Sequence, residues 1–289
     1  GIFVIRAAEE KLLLTRLTAV GGIPVGEALR RLRTLLPADN EALFRAQCPS
    51  LLNNTFILKG LDLADSTSGA VYTLTDADGS KTTVSLHPDP QARMATAPQF
   101  ATLRAFQDRG NYVGQYLPEA RALYFNYRRC AEEDEQPFAA FNARLFETIA
   151  REKPQRLIVD LRYNGGGNSL ILQPFIDSLG KSCLKQKGRL YVLIGKRTFS
   201  SALLNALQLR QEFGAILIGE PTAGSVNHYG EVRTFTLPAT GATVYYSTRY
   251  FRRSDGPGGA LRPDIPLGRS FANFRDGRDE VLEYALTNN

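Results

Sequence analysis

Four short apolar segments, separated by helical patterns, constrain the fold of this chain more than any other feature. They span residues 122–128, 156–162, 189–195 and 215–220. The unbroken apolar centre of the second segment is typical of a strand that is covered on both faces. Strands that alternate with helices in this way build a mostly parallel sheet flanked by helices. The predicted fold class is therefore α/β.

The first ninety residues have a different pattern. Residues 12–25 predict a strand and a Gly-Gly turn, and residues 26–36 predict a helix. A second helical stretch opens at Asp39 or Asn40, either of which suits an N-cap. Residues 71–87 alternate around an Asp-Gly pair, which predicts a β-hairpin. This pattern predicts a small α+β module.

We therefore divide the chain into three parts. The α+β module covers residues 1–90, a connecting segment covers residues 91–115, and the α/β domain covers residues 116–289. The chain opens with Gly1 in a strand-like run, and its only methionine is Met94. We expect the native start to lie upstream, and we predict no signal peptide within these residues.

Composition argues against several classes of site. The net charge of +6 is spread over short arginine clusters, whereas nucleic-acid binding favours a concentrated basic stripe with aromatics, so we predict no nucleic-acid partner. Three distant cysteines and two histidines argue against a metal site, and we predict no metal and no cofactor. No apolar run approaches the ~20 residues needed to cross a membrane, so we predict no integral membrane segment.

A run of three glycines follows the second apolar segment, in the sequence DLRYNGGGNS. Gly165, Gly166 and Gly167 allow the backbone to approach a ligand closely with its N–H groups exposed. Amides placed just before a helix bind anions, which suits an oxyanion hole or a phosphate. No Walker lysine follows and the GxGxxG spacing is absent, so the pattern argues against a nucleotide site.

Two further segments follow apolar strands. In KRTFSSALLNAL, Ser200 and Ser201 stand where a helix begins, next to the positive end of its dipole. Either serine suits a nucleophile, although capping the helix is the commoner role of serine there. The third segment, GEPTAGSVNHYGE, carries Ser225 and His228 in a glycine-rich turn.

Together these segments resemble the tail-specific (C-terminal-processing) protease family, whose pattern is DLRxNxGG, a serine that opens a helix, and a GExTxG turn. LRPDIPL near the C-terminus resembles the family's GxxPDxxV stretch, so the resemblance covers residues 115–289. The pieces LTAVGGIPV and TLTDADGSKTTVSL resemble a PDZ-like domain. The resemblance implies a crotonase/ClpP-like core preceded by a PDZ-like module.

The resemblance also implies roles for individual residues. Ser200 occupies the nucleophile position, and the amides of Gly165 or Gly166, with that of Ser201, would form the oxyanion hole. Ser225 stands where serine-lysine members carry the lysine that acts as general base. No lysine follows Lys196, so the usual serine-lysine dyad is absent.

The identity of the general base stays open. A second branch, resembling the tricorn core, uses a histidine that often lies in a D-x-H-T stretch ahead of the PDZ-like region, and that place falls upstream of Gly1. The alternatives are a base on an upstream segment, His228 as the base, or an inactive relative. Asp255 and Asp264 are the candidate acidic partners, although Asp264 also suits a backbone anchor.

The implied function is a serine endopeptidase that cleaves unfolded or C-terminally exposed polypeptides through an acyl-enzyme. Family resemblance implies a bacterial cell-envelope or secreted location. Two alternatives remain. One is an inactive relative that binds peptides or hydrophobic ligands, as the similar retinoid-binding repeats do, and the other is a crotonase-type acyl-CoA enzyme.

Overall fold

The computed structural model describes residues 1–107, 109–256 and 258–288. The chain divides into two compact units. The first consists of residues 1–38, 44–107 and 270–278, and the second consists of residues 39–43, 108–269 and 279–289.

The elements within the described residues are as follows. The strands are β1 (Ile2–Phe3), β2 (Arg6–Ala7), β3 (Arg16–Val20), β4 (Ile23–Pro24), β5 (Ala70–Thr75), β6 (Lys81–Leu86), β7 (Ala95–Thr96), β8 (Tyr112–Leu117), β9 (Ala122–Tyr127), β10 (Arg156–Asp160), β11 (Leu190–Ile194), β12 (Ile216–Gly219), β13 (His228–Thr236), β14 (Thr243–Phe251) and β15 (Ile265–Pro266). The α-helices are α1 (Val25–Leu32), α2 (Glu41–Leu51), α3 (Thr55–Gly60), α4 (Gln99–Thr102), α5 (Arg104–Gln107), α6 (Phe138–Glu152), α7 (Gln173–Lys181), α8 (Ser201–Phe213), α9 (Phe271–Arg275) and α10 (Glu280–Thr287). Short 3₁₀ helices span Glu10–Leu12, Ser169–Leu172 and Cys183–Lys185.

The first unit is built on an antiparallel sheet with the strand order β1-β3-β5-β6, to which β4 adds by pairing with β3. The hairpin predicted over 71–87 is confirmed, because β5 and β6 pair along their whole length. The helix predicted over 26–36 ends earlier, at Leu32, and Leu35 is 49% exposed. Helix α3 was not predicted; Asn54 caps it by accepting hydrogen bonds from the amides of Phe56 and Ile57.

The segment predicted as a connection, residues 91–115, contains β7, α4, α5 and the first part of β8. Strand β8 pairs antiparallel with β9, so it lies at the edge of the large sheet. Gly114 interrupts its apolar pattern for a packing reason. A Cβ atom at that position would lie 2.4 Å from Cδ1 of Leu145 on α6, so a side chain there would have to displace the end of the Leu145 side chain.

The second unit contains a six-stranded sheet with the order β15-β12-β11-β10-β9-β8, in which the neighbours from β15 to β9 are parallel. The predicted mostly parallel sheet is therefore confirmed. Alternate residues of β10 face opposite sides. Leu157 and Val159 belong to the core formed with α6, α7 and α8, whereas Ile158 belongs to the core formed with α10. Helices thus cover both faces, as the apolar segments predict.

The hairpin predicted around Gly241 is also confirmed. Strands β13 and β14 are antiparallel, and together they form a two-stranded sheet of their own.

Candidate active site

Ser200 joins the end of the loop after β11 to the first residue of α8. Its backbone has φ 50° and ψ −125°, and its side chain makes no capping hydrogen bond. Left-handed backbone in a non-glycine residue costs about 1–3 kcal/mol and persists only where the surroundings impose it. Ser200 therefore does not act as an ordinary side-chain N-cap, which was the alternative interpretation of its position.

Thr198 is one of the residues that impose this turn. It is fully buried, its hydroxyl donates to the carbonyl of Leu161 at 2.8 Å, and the hydroxyl oxygen accepts the amide of Gly195 at 3.0 Å. These bonds tie the loop before Ser200 to the ends of β10 and β11.

The structure distinguishes the two adjacent serines. Ser201 is 7% exposed, and its hydroxyl donates to the carbonyl of Gly167 at 2.6 Å. Ser200 is partly exposed, and its hydroxyl forms no hydrogen bond within the described residues. Of the two, Ser200 has the hydroxyl that is free to react.

The glycine run lies directly against Ser200. Gly166 has φ +102°, and a Cβ atom there would lie 2.8 Å from Cβ of Ser200 and 3.1 Å from the amide nitrogen of Ser201. Gly167 has φ +135°, and its Cβ would lie 2.1 Å from the carbonyl oxygen of Cys130. The loop can fit between Cys130 and the nucleophile position only because it lacks side chains here.

The backbone amides near Ser200 differ in availability. The amide of Gly166 donates to Oδ1 of Asn164 at 2.9 Å, so it is already occupied. The amides of Gly165 and Ser201 have no acceptor among the residues that the structure describes. Of the predicted oxyanion donors, Gly165 and Ser201 are thus the two with free N–H groups, whereas Gly166 would have to exchange its partner.

Asn164 holds this loop in place, and sequence reasoning did not single it out. It has no exposed surface, its Nδ2 donates to the carbonyl of Tyr127 at 2.9 Å, and its own carbonyl accepts the amide of Phe199 at 3.1 Å. One buried residue, through its side chain and its backbone carbonyl, therefore links the end of β9, the glycine run and the segment that enters Ser200.

The turn after β12 reaches the same place. The amide of Ala223 donates to the carbonyl of Thr198 at 3.0 Å, and a Cβ atom on Gly224 would lie 3.4 Å from the amide nitrogen of Ser200. Ser225, at the position of the family's lysine, is 7% exposed and forms an isolated β-bridge with Ala260. The three predicted segments therefore converge on the backbone of Ser200.

His228 is the first residue of β13. Its Nδ1 lies 2.8 Å from the carbonyl oxygen of Ser225, and its ring stacks on that of Phe251 with centroids 5.4 Å apart. A proton on Nδ1 would leave Nε2 as the acceptor nitrogen. No hydrogen bond joins His228 to Ser200 within the described residues.

The predicted acidic candidates are engaged elsewhere. Asp264 pairs with Arg210 at 2.5 Å and accepts the amide of Leu217 at 2.9 Å, as its interpretation as a backbone anchor predicts. Asp255 pairs with Arg252 at 3.2 Å on the surface.

Behind the glycine run lies a buried ionic network that sequence reasoning missed. Both terminal nitrogens of Arg162 donate to the carboxylate of Asp279, at 2.6 and 2.8 Å, and Nε and Nη2 donate to Asp160, at 3.0 and 2.6 Å. The hydroxyl of Tyr124 donates to Asp160 at 2.7 Å. The three charged side chains are at most 7% exposed. Asp160 and Arg162 stand in the DLR motif, but Asp279 lies 117 residues from Arg162 and nothing in the sequence connects them.

The charge state of this network follows from its geometry. Burial opposes the ionised form of Asp279, but the Coulombic attraction and hydrogen bonds of Arg162 outweigh that effect and hold the pKa of the carboxyl below its ordinary value. Asp279 also caps α10 by accepting the amide of Leu282. The network thus fixes the end of β10, from which the glycine run departs.

Comparisons with solved structures show what the fold resembles. Mature CPAF complexed with lactacystin is 14% identical, with a TM-score of 0.61, over 96% of this chain and 79% of that chain. Mature CPAF alone is 14% identical, with a TM-score of 0.58, over 94% of this chain and 75% of that chain. A putative S41 protease from Bacteroides fragilis is 12% identical, with a TM-score of 0.44, over 99% and 78% of the two chains.

The fold of this chain is similar to that of mature CPAF, and its structural neighbours are tail-specific, S41-like peptidases. The resemblance predicted from the motifs is therefore confirmed at the level of the fold. No protein-family model and no curated protein matches this chain. None of the helices in the described residues is long and apolar enough to cross a membrane.

Proposed function

We propose that this chain is a serine peptidase in which Ser200 attacks the carbonyl carbon of a peptide bond and forms an acyl-enzyme. The observation that carries the proposal is the state of Ser200, whose strained backbone presents an uncapped, unbonded hydroxyl at the start of α8. A base accepts the hydroxyl proton during the attack and passes it to the nitrogen of the departing amine, and water then hydrolyses the ester and restores the Ser200 hydroxyl.

The free amides of Gly165 and Ser201 are the proposed oxyanion donors. The carbonyl oxygen becomes negatively charged in the tetrahedral intermediate, and fixed N–H groups stabilise that charge without reorganising. Loss of one such donor costs roughly 2.7–4 kcal/mol of transition-state stabilisation in acyl-transfer enzymes. The dipole of α8 acts in the same direction, because the positive end of the helix lies at Ser201.

His228 is the general base that we propose from this chain. It belongs to the same unit as Ser200, and the carbonyl of Ser225 fixes its ring through Nδ1. Ser225 is itself buried where the family's lysine would stand, so a histidine replaces the lysine as the proton acceptor. Such a base contributes roughly 10²–10⁴-fold to the rate.

The finer features of the proposal come from the family resemblance. They are a PDZ-like module over residues 1–90, a crotonase/ClpP-like catalytic domain over residues 116–289, and unfolded or C-terminally exposed polypeptides as substrates. A bacterial cell-envelope or secreted location belongs to the same proposal.

A fluorophosphonate probe, which reacts covalently with activated serine hydroxyls, tests the nucleophile. Ser200→Ala should abolish labelling and leave the unfolding transition unchanged, because a hydroxyl without a hydrogen bond contributes little to stability. Ser201→Ala is the matched control, which removes the bond to Gly167, lowers stability by about 0.5–1.5 kcal/mol and retains labelling. Labelling that survives in Ser200→Ala and disappears in Ser201→Ala would show that Ser201, and not Ser200, is the nucleophile.

A further inference from the structure

Strands β13 and β14 form an exposed ribbon. Each strand has nine residues, the two strands pair with each other, and almost every residue on them is exposed or partly exposed. At about 3.4 Å per residue the ribbon is about 30 Å long. A two-stranded hairpin without further cover is only marginally stable in water, so such a ribbon is suited to a partner.

One side of the ribbon carries an aromatic surface. Side chains alternate between the two sides of a strand, which places four exposed aromatic residues on the same side. They are Tyr229 (72% exposed), Phe235 (51%), Tyr246 (45%) and Tyr250 (50%). Tyr229 contacts Tyr250 with ring centroids 4.8 Å apart, and Phe235 contacts Tyr246 at 6.0 Å. We call this side, together with Arg233, the aromatic face. Contiguous exposed apolar surface of this kind marks an interaction site.

The charge of the ribbon favours an acidic partner. Residues 228–253 contain four arginines and one acidic residue, Glu231, which pairs with Arg249. Arg233 lies directly opposite Tyr246 in the strand register and has no ionic partner among the described residues. A carboxylate bound to the aromatic face would therefore meet an uncompensated guanidinium beside an aromatic ring.

The ribbon begins close to the candidate active site. Its first residue, His228, follows Ser225 by three positions, and Gly224 packs against the backbone nitrogen of Ser200. A polypeptide bound along the ribbon therefore runs toward the nucleophile at the end where β13 starts. This continuity favours the peptidase's own substrate over an unrelated macromolecule.

We propose that the aromatic face binds an extended, acidic segment of the polypeptide substrate, away from the peptide bond that is cleaved. The inference rests on the proposed peptidase function. An extended chain matches the ribbon in two ways, because its backbone can pair with an exposed strand edge and its alternate side chains can meet the aromatic rings. Carboxylates in that segment would pair with Arg233.

The test measures binding without turnover. The Ser200→Ala chain is titrated into a fluorescent, unstructured peptide that alternates tyrosine and glutamate, and anisotropy gives Kd. In that background, Tyr229→Ser with Tyr246→Ser, and separately Arg233→Glu, should each raise Kd by at least about tenfold. Tyr245→Ser is the matched control, because Tyr245 is 71% exposed but adjoins Tyr246 on the strand and so faces the other side. It should change Kd by less than about twofold, and added salt should weaken binding to the unmodified ribbon.

Other outcomes would overturn the proposal. Equal losses from the control and the face variants, or no loss from either, would show that the aromatic face is not the binding surface. Tighter binding of a thymidine oligonucleotide that the same variants abolish would assign the face to single-stranded nucleic acid. A dimer in analytical ultracentrifugation that the same variants dissociate would assign it to a second copy of this chain.

Labelling separates this inference from the proposed function. The face variants, made with Ser200 intact, should react with the fluorophosphonate probe at the rate of the unaltered chain, since the probe is too small to reach the ribbon. Absent labelling with retained peptide binding would overturn the peptidase proposal and leave the binding face supported. Normal labelling, together with peptide binding that the face variants do not alter, would overturn the binding face and leave the peptidase proposal supported.

Discussion

The three consecutive glycines beside Ser200 should respond very differently to the same substitution. A Cβ atom on Gly165 would meet nothing within 4 Å, and its φ lies outside the left-handed region. On Gly166 the added carbon would lie 2.8 Å from Cβ of Ser200, and on Gly167 it would lie 2.1 Å from the carbonyl oxygen of Cys130. Gly165→Ala, Gly166→Ala and Gly167→Ala therefore form a graded series within one loop.

The geometry sets the expected magnitudes. Gly167→Ala combines backbone strain at φ +135°, worth about 1–3 kcal/mol, with a clash against backbone that cannot move aside, worth about 1–3 kcal/mol. The total of about 2–6 kcal/mol is a large part of the ~5–15 kcal/mol by which a typical domain is stable. Gly166→Ala carries similar backbone strain at φ +102°, and its clash displaces the nucleophile. Gly165→Ala should change stability by less than about 1 kcal/mol.

Two measurements check this series. Urea unfolding gives the free energy of unfolding, and fluorophosphonate labelling gives the reactivity of Ser200. Gly165→Ala should match the unaltered chain in both, because alanine keeps the amide that we propose as an oxyanion donor. Gly166→Ala should still fold. Its labelling should be about 100-fold slower than that of the unaltered chain, as expected when a reacting group is misplaced by about 1 Å. Labelling of Gly166→Ala as fast as that of Gly165→Ala would refute the contact between the loop and the nucleophile.

Two further substitutions test the buried network and the base. Asp279→Asn should lower the free energy of unfolding by about 3–5 kcal/mol, because it removes a charged partner from buried Arg162. The pKa of Asp279 is lowered in the folded state, so its contribution is complete above about pH 4 and is lost as the pH falls through the lowered value. Urea unfolding across acidic pH should show that loss in the unaltered chain and not in Asp279→Asn; identical profiles would contradict the assignment. His228→Gln should slow hydrolysis of a disordered peptide by roughly 10²–10⁴-fold, because it removes the proposed general base. Unchanged hydrolysis would place the base elsewhere, as in the alternative of an upstream segment.

Patterns in the sequence predicted the strands and hairpins whose burial is the same along their whole length or alternates regularly. Strands β9 to β12 are buried on both sides, so each has an unbroken apolar run that is readable without knowledge of its neighbours. The hairpins β5–β6 and β13–β14 were found from alternation and turn residues. Strand β8 was not predicted in full because Gly114 interrupts its apolar pattern, and the close approach of Gly114 to Leu145 of α6 is a contact that no local pattern reveals.

Contacts between distant parts of the chain could not be predicted in this way. Residues 270–278 pack with the first unit, where the ring of Phe271 stacks on that of Phe3 at 3.4 Å, although 268 positions separate the two (271 − 3). The pairing of Arg162 with Asp279 spans 117 positions. An aspartate at the N-cap of a helix is usually exposed to solvent, so the sequence around Asp279 did not predict that its side chain is buried.

The roles of single residues in the candidate site could not be predicted from the sequence either. Sequence alone placed Ser200 and Ser201 equally well at the start of a helix, since both roles, cap and nucleophile, need only a hydroxyl there. What separates them is the local structure, because Ser200, at φ 50°, makes no capping hydrogen bond, while the hydroxyl of Ser201 donates to the carbonyl of Gly167. Gly167 itself adopts φ +135° against Cys130, a conformation that sequence alone does not reveal. The glycine run and the reactive serine are therefore one structural unit, because Gly167 accepts the Ser201 hydroxyl at the start of the helix and Gly166 lies directly against Ser200.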